Sequence, residues 1–149
     1  MISVKRTNAD DHNFQQLVKE LDADLKIRDG DDAPFFAQFN KIDTIKYVVV
    51  AYNNEMAVGC GAIKEYAPKI MEVKRMYVKP YFRGKGIASV VLKELEKWVV
   101  ELGFEKCILE TGEKQPEAIR LYKKNNYVVI KNYGQYEKVL TSVCFEKTL

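Results

Sequence analysis

The sequence predicts one α+β / α/β domain, a mixed, mostly antiparallel central sheet with helices on both faces, and three observations predict it. Three extended runs follow one another between residues 45 and 78 with connections of a few residues, which forces an antiparallel meander. A helical pattern then separates the third run from a short apolar run at residues 106–110. A strand–helix–strand unit of this kind, over residues 71–110, closes as a right-handed parallel crossover. At 149 residues, with 47% apolar and 30% charged, the whole chain, 1–149, fits a single domain with a buried core.

The elements follow in order. Residues 2–6 alternate as a short strand. Asp10 or Asp11 caps a helix in which Phe14, Leu17, Val18, Leu21 and Leu25 recur at helical spacing. An acidic turn, Asp29-Gly30-Asp31-Asp32-Ala33-Pro34, ends it, and residues 35–40 (FFAQFN) read as a second short helix. The run at 45–52 is rich in β-branched and aromatic residues. Asn53-Asn54 turns it into 56–66, and 69–78 is the third strand, stopped by Pro80. From 84 to 102 the period becomes helical, with Ile87, Val91, Leu95, Trp98 and Val99 on one face and Lys93, Glu96 and Lys97 on the other. Gly103 stands where a left-handed C-cap is favoured. Residues 106–110 form a short buried strand. Pro116 opens a helix at the position proline prefers, with Ala118, Leu121 and Tyr122 facing inward. Residues 127–130 and 140–147 close the chain as strands.

Composition removes several classes of function. The net charge is +3, with Lys and Arg mixed among Asp and Glu throughout, so neither a nucleic-acid nor a membrane partner is expected. No window approaches the ~20 apolar residues of a membrane span. The start, MISVKRTNADD, is polar too early for a signal peptide. Cys60, Cys107 and Cys144 are odd in number, far apart and set in apolar runs. That is the pattern of reduced, buried thiols in a cytoplasmic protein, not of a disulfide or zinc framework. His12 is the only histidine and stands without a partner, so no metal site and no Ser-His-Asp chemistry are expected.

The stretch that carries chemistry is RMYVKPYFRGKGIASVVLKELEKWV, Arg75 to Val99. A strand runs into a basic, glycine-bearing turn that opens onto an amphipathic helix. The first four N–H groups of a helix lack internal partners, and the macrodipole is positive there. Gly84 and Gly86 put no β-carbon in front of those groups, and Arg83 and Lys85 add charge, so the turn reads as a phosphate cradle. A nucleotide P-loop would need Lys then Ser or Thr at its second glycine, and Gly86 is followed by Ile87. A dinucleotide fingerprint finds its first two glycines here and Glu110 about 20 residues further on. Three antiparallel strands precede the turn, however, and the remainder after Glu110 is too short for a doubly wound sheet.

Arg83-Gly84-Lys85-Gly86-Ile87-Ala88 resembles the Arg/Gln-x-x-Gly-x-Gly/Ala signature of the GNAT superfamily of N-acetyltransferases. The preceding Glu72-Val73-Lys74-Arg75-Met76-Tyr77-Val78 is similar to that family's fourth strand. The stretch from Pro116 through Leu121-Tyr122 to Asn126-Tyr127 is similar to its second conserved block. The two blocks in this order are far more specific than either alone, and the element order resembles the GNAT fold over essentially the whole chain.

The resemblance implies transfer of an acetyl group from acetyl-CoA to a primary amine of a small molecule or peptide. The attack would be direct, through a tetrahedral intermediate, with no covalent enzyme intermediate. It implies that backbone amides of Arg83, Gly84, Lys85, Gly86, Ile87 and Ala88 hold the CoA pyrophosphate. It implies that the backbone of Met76, Tyr77 and Val78 pairs with the pantetheine arm, where the fourth and fifth strands splay apart and leave edge groups to be satisfied, and supplies the oxyanion donor. Tyr122 becomes the general acid: a phenol of pKa about 10 is matched to a leaving thiolate of about 8.5. By periodicity alone Tyr122 is a core tyrosine. Glu72 becomes the general base, although as a strand residue it also reads as an ordinary polar side chain. Gln115 stands where the family often has Asn, and Asn126 where it commonly has Gly; Asn is the non-glycine residue best suited to a left-handed helix end.

For the acceptor, the resemblance points to the first two helices and the strands near the chain's end. Those regions hold Asp29, Asp31, Asp32, Phe35 and Phe36, and then Tyr133, Gly134, Gln135 and Tyr136, an acidic lip with aromatic walls. A homodimer is a habit of the family. Two other readings stay open, a catalytically silent CoA-binding regulatory module and a dinucleotide-binding protein.

Overall fold

The computed structural model describes residues 1–30 and 45–149. The second helix expected at 35–40, with Asp31, Asp32, Phe35 and Phe36, lies outside the described residues.

The β-branched runs pair in the order in which they occur. Strands β1 (Ile2–Thr7), β2 (Tyr47–Asn53), β3 (Met56–Ala67) and β4 (Ile70–Val78) make the antiparallel meander. Strand β5 (Lys106–Gly112) then lies parallel to β4, and β7 (Ser142–Thr148) and β6 (Val128–Ile130) finish the sheet antiparallel, in the order β1-β2-β3-β4-β5-β7-β6. Helix α2 (Ile87–Glu101) makes the crossover from β4 to β5. With helix α3 (Pro116–Lys124) it borders one face, whose core holds Val49, Ile63, Met71, Val91, Leu95, Leu109, Tyr122 and Phe145. Helix α1 (His12–Asp29) covers the other face with Phe14, Leu17, Val18 and Leu21 against Val48, Val50, Cys60 and Ala62. The mixed sheet with a helical layer on each face is the expected architecture.

The ends of the elements follow from local chemistry. Asp11, of the two candidates, caps α1: its side chain accepts from the Phe14 N–H at 3.0 Å. The β2–β3 turn falls one residue later than expected. Asn53 pairs with Met56, and Asn54, in the left-handed region at φ 57°, starts a two-residue turn of the kind that matches strand twist. Asn126 takes φ 70° and the Tyr127 N–H returns to the Tyr122 carbonyl at 3.0 Å, so β6 starts at Val128 and not at Tyr127. Strand β7 starts at Ser142, two residues after the expected start at Leu140, which is exposed.

One irregularity positions everything functional. Cys60 pairs with Tyr77 but Ala62 with Lys74, so β4 carries an extra residue at Arg75–Met76 opposite β3. Arg75 sits in the left-handed region at φ 58°, with its side chain 2% exposed and its guanidinium on Asp22 of α1. A bulge bends and over-twists its strand. Accordingly β4 pairs with β5 only at Ile70–Lys106, Met71–Cys107 and Glu72–Ile108. Beyond Glu72 the two strands part.

Candidate active site

The parting of β4 and β5 opens a cleft of about 510 Å³. Its walls are β4 from Glu72 to Val78, the end of β5 from Glu110 to Gly112, the start of α2, the inner face of α3, and Leu21, Asp24 and Leu25 of α1. Every residue nominated from the sequence for catalysis or cofactor binding lines this cleft, with the exception of Lys85.

At the α2 end the cleft is bounded by main chain. Gly86 is the N-cap in the left-handed region, φ 81°, and no side chain caps the helix. The first intrahelical bond runs from the Val90 N–H to the Gly86 carbonyl, so the N–H groups that precede it lie ahead of the helical ladder. A β-carbon added at Gly86 would meet nothing within 4 Å. Backbone conformation, not crowding by protein, demands glycine there, and the space in front is the cleft's own. No acidic residue stands in the first turn to oppose an anion.

The two cations of the turn behave differently. Arg83 folds back: its Nε donates to the Val78 carbonyl at 2.8 Å, its guanidinium lies 5.5 Å from the Tyr77 ring centroid, and Nη2 stands 3.8 Å from Asp24. It braces the turn on β4 while still facing the cleft. Lys85 instead lays its ammonium over the rings of Tyr81 and Phe82, at 5.2 and 5.5 Å. Across the mouth, Arg28 near the end of α1 pairs with Asp24, at 3.2 Å, and with Glu117 in the first turn of α3. This bridge ties the two sides of the cleft together.

At the other end, side chains replace main chain. Glu72 is the last residue of β4 paired with β5 and is 7% exposed. Its Oε2 accepts from the Tyr133 hydroxyl at 2.6 Å, and Lys74 Nζ stands 3.7 Å from Oε1. On β5, Glu110 accepts from the Ser142 hydroxyl at 2.6 Å. Tyr133 meets Tyr66 and Tyr136 edge-on, with centroids 5.1 and 5.8 Å apart. Burial, and after it the charge of Glu72, raises the Tyr133 phenol well above its ordinary pKa, so it stays a donor. Tyr136 is raised likewise by burial, then by Glu110 and Glu72.

Between the two ends stands Tyr122, buried on the inner face of α3 with its ring against Tyr127 and Phe145. Burial, and then the negative charge of Glu110, pushes its phenol above the usual value. Such a hydroxyl holds its proton through the neutral and mildly alkaline range.

Sequence reasoning missed four features: the pairing of buried Arg75 with the half-exposed Asp22, the Arg28–Glu117 bridge, Glu110 as a lining carboxylate bonded to Ser142, and the Tyr133 bond to Glu72. A visible signal existed only for the first, an arginine in the middle of an apolar strand run; the others join residues far apart in the chain. Tyr136 lines the cleft, as an aromatic wall should. Among the described residues no cluster of three or more His, Cys, Asp or Glu is placed to hold a metal ion, and no helix is long and apolar enough to cross a membrane.

Comparison with known proteins gives a consistent picture. The sequence pattern of the Acetyltransferase (GNAT) family matches residues 14–127. An IAA acetyltransferase of Azospirillum brasilense is 33% identical over 142 residues, covering 90% of this chain and 89% of that protein. A Klebsiella pneumoniae protein of known structure, assigned as an acyl-CoA N-acyltransferase, is 29% identical with a TM-score of 0.83, covering 100% of this chain and 98% of the other. The PaiA N-acetyltransferase of Thermoplasma acidophilum, whose crystal structure is a complex with coenzyme A, shares the fold. Its TM-score is 0.74 at 18% identity, with 100% and 99% of the two chains covered.

Proposed function

The chain belongs to the GNAT acetyltransferase family and is an N-acetyltransferase, and from that premise we propose that it moves an acetyl group from acetyl-CoA directly onto a primary amine held at the Glu72 end of the cleft. The observation that carries this reading is the gathering, in one cleft, of an uncapped helix start, a buried carboxylate and a buried phenol drawn from three separate elements.

The residues fit acetyl-CoA. The main-chain N–H groups from Gly84 to Ala88 take the diphosphate; the Arg83 N–H, expected among them, already donates to the Pro80 carbonyl at 3.3 Å, so Arg83 contributes its guanidinium nearby, and the Lys85 ammonium is turned outward. The β4 edge at Met76, Tyr77 and Val78, unpaired with β5, receives the pantetheine amides. The Val78 carbonyl already accepts from Arg83 Nε, which points its use toward fixing the turn. Gln115, beside Gly112 at the N-cap of α3, faces the same arm.

Glu72 takes a proton from the incoming ammonium, directly or through water, so that the nitrogen lone pair is available. That lone pair forms the C–N bond at the thioester carbonyl carbon, while a β4 main-chain N–H steadies the carbonyl oxygen. The C–S bond then breaks, and Tyr122 gives its proton to the departing sulfur. CoA leaves as the thiol, the new amide nitrogen gives its second proton through water to the phenolate, and Glu72 releases its own proton to solvent. The acceptor is an amine of a small molecule or a peptide. The three cysteines, free and buried, suit a reducing compartment such as the cytoplasm.

The test is a panel of small amines and peptides assayed for thiol release from acetyl-CoA, run beside thermal unfolding with and without acetyl-CoA. Turnover with at least one amine is expected. A protein that acetyl-CoA stabilises but that turns over none of the panel is a silent CoA-binding module, and the transferase mechanism fails.

A further inference from the structure

The hydrogen bond at 2.6 Å between Tyr133 and Glu72 joins β4 to a loop that the family block does not include. The loop is closed on itself. Asn132 Nδ2 donates to the Val139 carbonyl at 2.9 Å, the Tyr136 N–H returns to the Tyr133 carbonyl at 2.9 Å, and the Val139 N–H returns to the Tyr136 carbonyl at 2.9 Å. At its centre Gly134 takes φ 52°, and a β-carbon there would come within 3.1 Å of the Tyr66 hydroxyl. Tyr66, at the far end of β3, thus presses on the loop from outside, while its ring meets that of Tyr133 edge-on. These contacts fix where the Tyr133 hydroxyl sits before any ligand arrives.

A glutamate has three side-chain torsions, and a base that swings among rotamers meets its substrate in the wrong geometry most of the time. Tyr133 removes that freedom. It occupies Oε2, and its burial keeps it protonated, so it acts only as a donor. Oε1 makes the looser contact, with Lys74 Nζ at 3.7 Å, and lies on the side chain that lines the cleft.

We propose that Tyr133 is a positioning residue for the acyl transfer: its hydroxyl clamps Oε2 of Glu72 and leaves Oε1 as the atom that receives the amine proton. This rests on Glu72 being the base, so the test separates the two claims. Glu72→Gln, Tyr133→Phe and the double variant are assayed for kcat, for KM of acetyl-CoA and for stabilisation by acetyl-CoA. Tyr133→Phe removes one oxygen atom and keeps the ring contacts, and the thermal shift with acetyl-CoA reports that each variant is folded. Tyr133→Phe is expected to lower kcat about 10-fold, the scale of one hydrogen bond to a charged group, with KM for acetyl-CoA unchanged. Glu72→Gln lowers kcat by about 100-fold. The double variant falls no lower than Glu72→Gln, because a residue that acts through Glu72 has nothing left to position. A further 10-fold loss in the double variant, or full kcat in Tyr133→Phe, overturns the proposal and leaves the base intact. Full kcat in Glu72→Gln overturns both.

Discussion

At the α2 end the cleft is walled by main chain, the left-handed Gly84 and Gly86 and the N–H groups of a helix that no side chain caps. At the Glu72 end it is walled by side chains, Glu72 of β4, Glu110 and Thr111 of β5 and Tyr136 of the loop, which Tyr133, Tyr66 of β3 and Ser142 of β7 back from behind. A main-chain site holds whatever anion fits, and it is written in a few consecutive residues. A side-chain site is assembled from residues scattered between Tyr66 and Ser142, and each can change without disturbing the others. The first suits a cofactor common to many enzymes; the second suits an acceptor that differs from one enzyme to the next. If that division is real, substitutions at the two ends separate in their effects on KM for acetyl-CoA and on kcat.

The largest separation is expected from Gly86→Val. The β-carbon meets no protein atom within 4 Å, so the cost to the fold is mainly the left-handed strain, at least about 1–2 kcal/mol for a β-branched residue, and the added carbons crowd the helix N–H groups. Losing about two charge-assisted bonds weakens acetyl-CoA by roughly 10³-fold. Calorimetric titration and the thermal shift with acetyl-CoA measure this; an unchanged shift removes the anion cradle from the α2 end.

Tyr122→Phe is the next in size and tests the middle of the cleft. Without the phenolic proton the sulfur leaves as a thiolate, and kcat falls by about 10²-fold with acetyl-CoA binding intact. The sign of the pH dependence follows from burial. The phenolate is penalised, the pKa is raised, and the proton stays on as pH rises. The wild-type rate therefore shows no alkaline fall from this group through pH ~10. A fall near neutrality that Tyr122→Phe abolishes would mean that the phenol loses its proton there, against the upward shift that burial gives it.

How much was legible follows the same division. A helix opening from the glycine turn, an aspartate cap at 10 or 11, the left-handed Asn126 and the meander all express short-range rules, and each was readable from neighbours in sequence, although the helix begins at Ile87 and not at residue 84. The chain's resemblance to the GNAT pattern also ran through these local blocks. The Arg75 bulge was hidden because the run at residues 69–78 alternates acceptably as a plain strand. Only the register with β3, set by Cys60 and Ala62 across the ladder, shows the extra residue. The Tyr133–Glu72 and Ser142–Glu110 bonds link positions 61 and 32 residues apart, where no periodicity reaches. The place of the Lys85 ammonium was not legible for another reason: an exposed cation beside Tyr81 and Phe82 finds a ring face as readily as an anion.

The smallest effect expected is the most useful probe of whether the side-chain wall is as rigid as the main-chain one. Cys60 and Cys107 lie in the paired part of the sheet, and burial pushes each thiol up to about 12. Cys144 lies on β7 opposite Glu110, under the Tyr133 loop, and is pushed up to about 11, mainly by burial. At pH 8 a thiol of pKa about 11 is ~0.1% thiolate, so none of the three reacts with a thiol reagent in minutes, and the thiol-release assay is free of protein background. Over hours, modification depends on local opening. A wall held by the self-closed loop keeps Cys144 as slow as Cys60, which mass spectrometry of the labelled peptides reads directly. Should Cys144 label ahead of Cys60, the sheet opens under the Tyr133 loop before it opens at β3. Comparing the same rates in Tyr133→Phe then shows whether the hydroxyl on Glu72 is what holds it shut.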